Sequence, residues 1–287
     1  MIRYAKPKTV EEALRLLKED RWRILAGGTD FYPAQGVRPI REDVLDINGL
    51  ADLRGIAETD HFWIFGARTS WTDVVRATLP PAFDALRQAA REVGSVQIQN
   101  AGTIAGNLCN ASPAADGVPP LLALDAEVEL RSAGGVRIVP LFGFILGNRK
   151  TALRDDELLA AIRVPKSSAA GRSAFVKLGA RRYLVISIAM AAARIRLDDD
   201  GRIAYAAVAV GSCSAVARRL RGVEAAVVGA ASGDELADAV RTAPLPEIAP
   251  IDDVRGSADY RREAAREIVL RAVAAAAEPE RTKARAA

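Results

Sequence analysis

The sequence predicts an α+β protein of two domains, the first of them subdivided. Three observations carry this. With 287 residues the chain is long for a single core. Short apolar runs with strand character are interspersed with helical periodicities through the first half. Composition shifts at Ser167–Gly171, read as a linker, and beyond it a series of strands gives way to a series of helices.

Element by element, Thr9 and Glu12 read as a capping box, and Val10, Ala13, Leu14 and Leu17 follow at helical spacing, predicting a helix over 9–19. A short strand over 22–25 runs into Ala26-Gly27-Gly28-Thr29-Asp30, and a second over 44–47 closes at Asn48-Gly49. Together these form a first subdomain of about residues 1–52. Residues 53–58 and 62–65 form a hairpin about Thr59-Asp60. Ser70 and Asp73 start another helix, Pro80-Pro81 breaks it, and Phe83, Leu86, Ala90 and Val93 give the next one its apolar face, ended by Gly94. After the glycine loop of residues 101–116 and a short apolar segment over 119–124, strands over 126–131 and 136–139 pair about Gly134-Gly135, and a strand over 158–164 completes a domain of residues 1–170. The second domain, 171–287, opens with strands over 175–178, 186–197 and 203–210, with Asp198–Gly201 as a hairpin turn. Residues 216–228, 235–240 and 260–277 are predicted helical, and the charged tail 278–287 is expected to fray. No internal repeat is present.

Composition narrows the chemistry. The net charge is +4 with arginines scattered, a weak argument for nucleic acid. No run approaches the ~18 apolar residues of a membrane span. The N-terminal residues carry no apolar signal-peptide segment, so a cytoplasmic location is expected. Two cysteines, Cys109 and Cys213, are too few for an iron–sulfur cluster with four cysteine ligands. The single histidine, His61, excludes a two-histidine metal site within this chain and reads as a surface residue beside a turn. Redox chemistry here would need an organic cofactor, and there is no dinucleotide fingerprint followed by a ribose-binding acid.

Two small-residue loops stand out. Leu25–Asp30 and Ala101–Asp116 place glycines where a backbone can approach a ligand closely, and successive N–H groups of such loops cradle anions such as pyrophosphate. Each residue also has a plainer reading. Gly27-Gly28 is also a turn after a strand, Asp30 a cap for that turn, Asp116 an N-cap for the segment at Pro119, and Lys177 a solvated strand residue. Cys109 reads as a small filler, and Trp22, Trp63 and Trp71 as core residues.

The two loops, in this order and at this spacing, resemble the FAD-binding medium subunit of molybdenum hydroxylases. That family includes carbon monoxide dehydrogenase medium subunits and the flavin domain of xanthine dehydrogenases. The resemblance runs along nearly the whole chain, from Tyr4–Leu17 through Ala26–Asp30 and Thr103–Leu130 to Phe175–Arg182. It implies an FAD-binding domain of the vanillyl-alcohol-oxidase (PCMH) type, with FAD between two α+β subdomains, and a C-terminal domain of the CO dehydrogenase flavoprotein type. It assigns Ile24, Leu25, Ala26, Gly27, Gly28, Thr29, Asp30 and Phe31 to the pyrophosphate. Thr103, Ala105, Gly106 and Asn107 become a second clamp, Asp116 holds the ribityl or ribose part, Leu159 lies against the flavin and Lys177 reaches its edge. No residue of this chain is assigned as catalytic or metal-binding. Two departures from the family pattern are Ala105, where glycine is usual, and the lack of an aspartate after Arg181-Arg182, which leaves an acceptor role there unsupported.

The resemblance further implies an oxidoreductase subunit with no substrate site of its own. Electrons would pass from [2Fe–2S] clusters on a small subunit through FAD to an external acceptor, after hydroxylation at a molybdenum cofactor on a large subunit. The expected assembly is a dimer of heterotrimers. Two alternatives remain at this stage: a stand-alone FAD oxidoreductase of the same fold, and an interaction subunit that has lost FAD.

Overall fold

The structure, a computed structural model, describes residues 2–278. The capping signals work as local physics requires. The Thr9 hydroxyl accepts from the Glu12 N–H at 3.2 Å and starts the helix Val10–Glu19; Glu12 reaches back one residue further than a full box, to Lys8 N–H at 2.9 Å. Ser70 and Asp73 form the complete reciprocal box that starts Trp71–Arg76.

The first subdomain is a parallel three-stranded sheet in the order Tyr4–Ala5, Val44–Asp46, Arg23–Leu25. The second is an antiparallel five-stranded sheet in the order Ile56–Glu58, Phe62–Gly66, Leu158–Pro165, Glu127–Ser132, Gly135–Pro140. Both sheets and the helices Asp84–Glu92, Ile104–Asn110 and Val118–Ala123 contribute to one shared core, from Val10 and Leu45 to Leu108, Leu121 and Val164. No helix among the described residues is long and apolar enough to cross a membrane.

The third sheet, in the order Arg172–Leu178, Ala189–Leu197, Ile203–Gly211, Arg218–Arg219, is antiparallel and covered on both faces. Ala189, Ala191, Ala193 and Ile195 pack with the twenty-residue helix Ala258–Ala277 on one side. Met190 and Ala192 meet Ala85, Ala89 and Ala123 of the first domain on the other. Double coverage explains why this strand is an unbroken apolar run instead of an alternating one. The prevalence of alanine lets helices approach both faces closely.

Several expectations change. Residues 216–228 are not one helix: Arg218–Arg219 pairs with Ala209 and Val210 as an edge strand, and only Arg221–Val227 is helical. The expected linker is a 3₁₀ turn, Lys166–Ala169, whose Ser168 is buried and donates to Asp125 at 3.1 Å. The segment 119–124 is the helix Val118–Ala123. Of the tail expected to fray, 279–287 lies outside the described residues. His61 is exposed, as expected.

The two domains are locked by an ionic cluster around Asp125. Its carboxylate takes Arg194 Nη2 at 2.9 Å and Arg219 Nη1 at 2.7 Å, while Arg219 also pairs with Glu224. Arg194 Nε and Arg219 Nη1 further satisfy the carbonyls of Ala123 and Leu122 at the end of a first-domain helix. Both arginine side chains are buried, at 4% and 8% exposure; Arg219 keeps Glu224, but losing Asp125 leaves the Arg194 charge without a carboxylate. Asp125→Asn keeps a residue type that tolerates the observed φ of 51° and is expected to cost about 2 kcal/mol in urea unfolding.

A second polar chain supports the first glycine loop. Tyr4 Oη donates to Asp46 Oδ2 at 2.5 Å, Asn48 N–H donates to Asp46 Oδ1 at 2.9 Å, and Asn48 Nδ2 donates to the Ala26 carbonyl at 2.8 Å. Burial opposes ionisation of Asp46, but the Tyr4 and Asn48 hydrogen bonds and the nearby Lys6 outweigh it and hold its carboxyl below the usual range. A depressed folded value stabilises the protein above the unfolded carboxylate pKa of about 4, and that stabilisation is lost as pH falls through the folded value. Asp46→Asn is therefore expected to flatten the fall of urea midpoint with pH below about 4, with the largest difference from wild type at neutral pH.

Candidate functional site

A cleft of about 1310 Å³ opens where the two subdomains and the second domain meet. Of the fifteen residues assigned from the sequence, all but Leu25 line it: Ile24, Ala26, Gly27, Gly28, Thr29, Asp30 and Phe31 from the first loop, Thr103, Ala105, Gly106 and Asn107 from the second, and Asp116, Leu159 and Lys177 beside them. Leu25 does not line it: its side chain is buried, with Cδ1 3.6 Å from where a Gly28 Cβ would stand.

The walls meet at Gly27. A Cβ there would collide with the Ala101 carbonyl oxygen and lie 2.7 Å from the Ala101 carbonyl carbon and 2.9 Å from Gly102 Cα. Only glycine permits this approach of backbone to backbone. Gly28 follows at φ 73°, which turns the chain toward the short helix Phe31–Gln35. Among the described residues, the N–H groups of Gly27, Gly28, Thr29 and Asp30 have no acceptor. Consecutive free N–H groups in such a turn form a concavity for an anion. Asp30 occupies the N-cap position of that helix without a side-chain cap bond, so the capping reading is not what the structure shows.

The second loop is more helical than its composition suggests. Val96–Ala101 and Ile104–Asn110 are helices separated by Gly102-Thr103, and the Thr103 hydroxyl caps the second by accepting from Gly106 N–H at 3.0 Å. Gly102 O accepts from Trp71 N–H at 3.1 Å, and Ile104 N–H donates to Thr69 O at 2.9 Å, so the joint is pinned to the start of Trp71–Arg76. Ala105 sits inside the helix and has no positive φ, so alanine is accommodated there without strain. Trp71 is fully buried beneath this wall, Trp22 and Trp63 are partly buried, and Cys109 faces the cleft.

At one end of the cleft, Asp116 and Lys177 form an ion pair of 2.6 Å between the two domains. Ser187 Oγ donates to the other Asp116 oxygen, also at 2.6 Å. Their side chains are only 9% and 7% exposed. Burial pushes the Asp116 carboxyl upward, and the Lys177 charge and the two hydrogen bonds pull it back. Asp116 is thus neither a helix cap nor a bare carboxylate, and Lys177 is not solvated. Each carboxylate oxygen keeps a second lone pair for a hydroxyl in the cleft. Sequence reasoning missed Asn48, Ser187 and Arg149; Arg149 lines the cleft at φ 58° and donates its N–H to Ala111 O at 2.9 Å. Asn48-Gly49 carried a turn signal only, and nothing local marks the other two.

The residues present fit a large dinucleotide-like group. Asn107 Oδ1 is buried without a hydrogen-bond partner in a residue that lines the cleft, and the Gly27–Asp30 N–H groups also lack acceptors among the described residues. The volume exceeds that of most single-ligand pockets, which run to about 1,000 Å³.

Comparison with known proteins agrees with this geometry. Residues 1–167 match the family described as FAD binding domain in molybdopterin dehydrogenase, and residues 174–276 match the CO dehydrogenase flavoprotein C-terminal domain. The carbon monoxide dehydrogenase medium chain of Hydrogenophaga pseudoflava is 30% identical over 277 residues, covering 95% of this chain and 96% of that one. The putative xanthine dehydrogenase FAD-binding subunit of Escherichia coli (strain K12) is 31% identical over 282 residues, covering 95% and 96%. A solved structure of CO dehydrogenase from Oligotropha carboxidovorans superposes with a TM-score of 0.88 at 29% identity, covering 96% of this chain and 98% of that one. The cleft between two subdomains, the paired loops and the appended sheet-and-helix domain are thus those of a two-domain flavoprotein, and the chain belongs to the family of FAD-binding subunits of molybdenum hydroxylases, which are oxidoreductases.

Proposed function

We propose that this chain is the subunit through which a molybdenum hydroxylase discharges electrons. FAD, when bound, supplies a redox centre able to take two electrons and release them singly or together. The chain's own residues hold and orient it. The free N–H groups of Gly27, Gly28, Thr29 and Asp30 take the pyrophosphate, flanked by Ile24, Ala26 and Phe31. Thr103, Ala105, Gly106 and Asn107 close over it from the facing wall. Asp116 accepts from a hydroxyl of the ribityl or ribose part, Leu159 packs against the ring system and Lys177 stands at its edge. Leu25, buried beside Gly28, supports the first loop without lining the cleft. The observation that carries this reading is the backbone contact at Gly27, which sets two unsatisfied loop walls face to face across a cleft of about 1310 Å³.

The matched relatives include medium chains and FAD subunits of multi-subunit enzymes. In line with them, the partners proposed here are a large subunit with the molybdenum cofactor and a small subunit with [2Fe–2S] clusters, in a dimer of heterotrimers in the cytoplasm. The absence of a cluster of three or more metal-ligating side chains among the described residues is compatible with this division of labour. The proposed domain division lies near residue 170, with a subdivision near residue 52.

The test is an absorbance spectrum of the purified chain after FAD is added and excess removed. A bound-flavin spectrum at about one equivalent per chain is expected, because the chain supplies the whole cleft by itself. A chain that stays colourless, both alone and co-expressed with its molybdenum and iron–sulfur partners, would contradict the proposal.

A further inference from the structure

One edge of the five-stranded sheet is open. Gly135–Pro140 is its last strand, paired only with Glu127–Ser132. A two-residue turn, Ala133-Gly134, joins the two, so Ser132 and Gly135 close the hairpin with mutual backbone hydrogen bonds, and every second pair repeats them. The Leu141 N–H bond to the Ala126 carbonyl at 2.9 Å continues the same phase. Gly135, Arg137 and Val139 therefore turn their backbone groups inward, and Val136, Ile138 and Pro140 turn theirs out of the sheet. Among the described residues, the Val136 and Ile138 N–H groups have no acceptor. Exposed edges are commonly blunted by charge on the strand or by a covering element. Here Val136 is 63% exposed and Ile138 37%, on the face that Pro140 shares by alternation, and Phe142 follows at 76%. The strand's one charge, Arg137, faces the other way, where Glu157 and the Ala152 carbonyl take its guanidinium. On the neighbouring strand Glu127 pairs with Arg163 and Glu129 with Arg131, so no uncompensated charge lies beside the edge.

We propose that two copies of this chain join along this edge as an antiparallel pair, with the two-fold axis at Ile138. The edge is its own complement in that register alone. Centring on Arg137 would set two guanidinium groups directly opposite each other. Centring on Val139 would set each Ile138 against a proline, which has no N–H to give. Centred on Ile138, the two Ile138 residues exchange both backbone bonds, each Val136 N–H reaches the Pro140 carbonyl of the other copy, and the missing proline donors fall at the ends of the ladder. Side chains then meet as Ile138 on Ile138 and Val136 on Pro140, with Arg137 beside Val139. The exposed parts of Val136, Ile138, Pro140 and Phe142 amount to roughly 400 Å² per copy, so with the strand backbone the pair approaches the ~1,000 Å² of a specific interface. Such a contact uses the same patch on both copies and closes at two. None of this depends on bound flavin.

The test is sedimentation equilibrium of the full chain over about 1–100 μM, where a monomer–dimer equilibrium is expected. Ile138→Lys brings two ammonium groups face to face and is expected to weaken dimerisation at least about ten-fold. Ile138→Glu is expected to do the same by itself, and an equimolar mixture of the two variants to regain the dimer. A second measurement reads the register. Oxidised with copper–phenanthroline, Ile138→Cys is expected to give a disulfide between copies, because directly opposite residues lie about 5.5 Å apart at Cα. Val136→Cys, which faces a proline, and Val254→Cys, at a position 102% exposed on the second domain, are expected to stay at the wild-type background of Cys109 and Cys213. A chain that stays monomeric over the whole range, association that survives Ile138→Lys, a mixture that stays monomeric, or equal cross-linking at Val254→Cys overturns the proposal. So does an assembled enzyme in which partner subunits, and not a second copy, protect the Val136 and Ile138 amides from hydrogen exchange.

Discussion

The structure depends on an approach of two backbones. Gly27 lies so close to Ala101-Gly102 that no side chain fits between them, although the two segments are far apart in sequence. Each is braced from behind. Asn48 holds the Ala26 carbonyl on one side, itself oriented by Asp46. On the other side, Thr69 and Trp71 hold Ile104 and Gly102. The hydrogen bonds that face outward are satisfied, and those that face the cleft are left open. The Gly27–Asp30 N–H groups are left to water or a ligand in the open cleft, and Asn107 Oδ1 is buried there without a partner, as expected of a binding site rather than of a core.

The third wall arrives by register. Ser173, Phe175 and Lys177 alternate onto the face of their strand that meets the helix Asp84–Glu92. Ser173 Oγ accepts from Ala85 N–H at 2.8 Å and donates to the Ala82 carbonyl at 2.7 Å. Phe175 N–H donates to Gln88 Oε1 at 2.7 Å, and Lys177 then reaches Asp116. Lys177 Nζ also donates to the Glu92 carbonyl at 3.4 Å, so Ser173, Phe175 and Lys177 touch Ala85, Gln88 and Glu92 in turn along one helix, which leaves little freedom to slide. A slip of one residue would turn Lys177 to the opposite face and leave Asp116 buried without its cation. The Asp125 cluster secures the same seating from the far end of the sheet.

Much of this was legible in the sequence because it is local. Caps at Thr9 and Ser70, the Asp198–Gly201 turn and the two glycine loops act through neighbours a few residues away. What was not legible depends on distant partners. Arg218–Arg219 looks helical until the edge of strand Ile203–Gly211 offers it a ladder. Residues 167–171 look like a linker until Asp125 and Arg194 bury Ser168. The loop at 101–116 reads as irregular because it is rich in glycine and asparagine, yet Thr103 caps it and tertiary packing of Ile104 and Leu108 makes it helical. Leu25, assigned to the cleft with its neighbours, is buried beside Gly28 and does not line the cleft, a placement that no local pattern marks.

The most direct measurement is the FAD dissociation constant of Gly27→Ala against wild type, with Gly143→Ala as reference, where an added Cβ meets nothing nearer than Val139 Cγ1 at 4.0 Å. If the glycine contact sets the distance between the walls, one added methyl group must push them apart. Affinity should then fall by at least about ten-fold, the equivalent of ~1.4 kcal/mol, while Gly143→Ala stays within about two-fold. Equal affinity of Gly27→Ala and wild type would contradict the account, since the walls would then meet, and hold their ligand, by some other means.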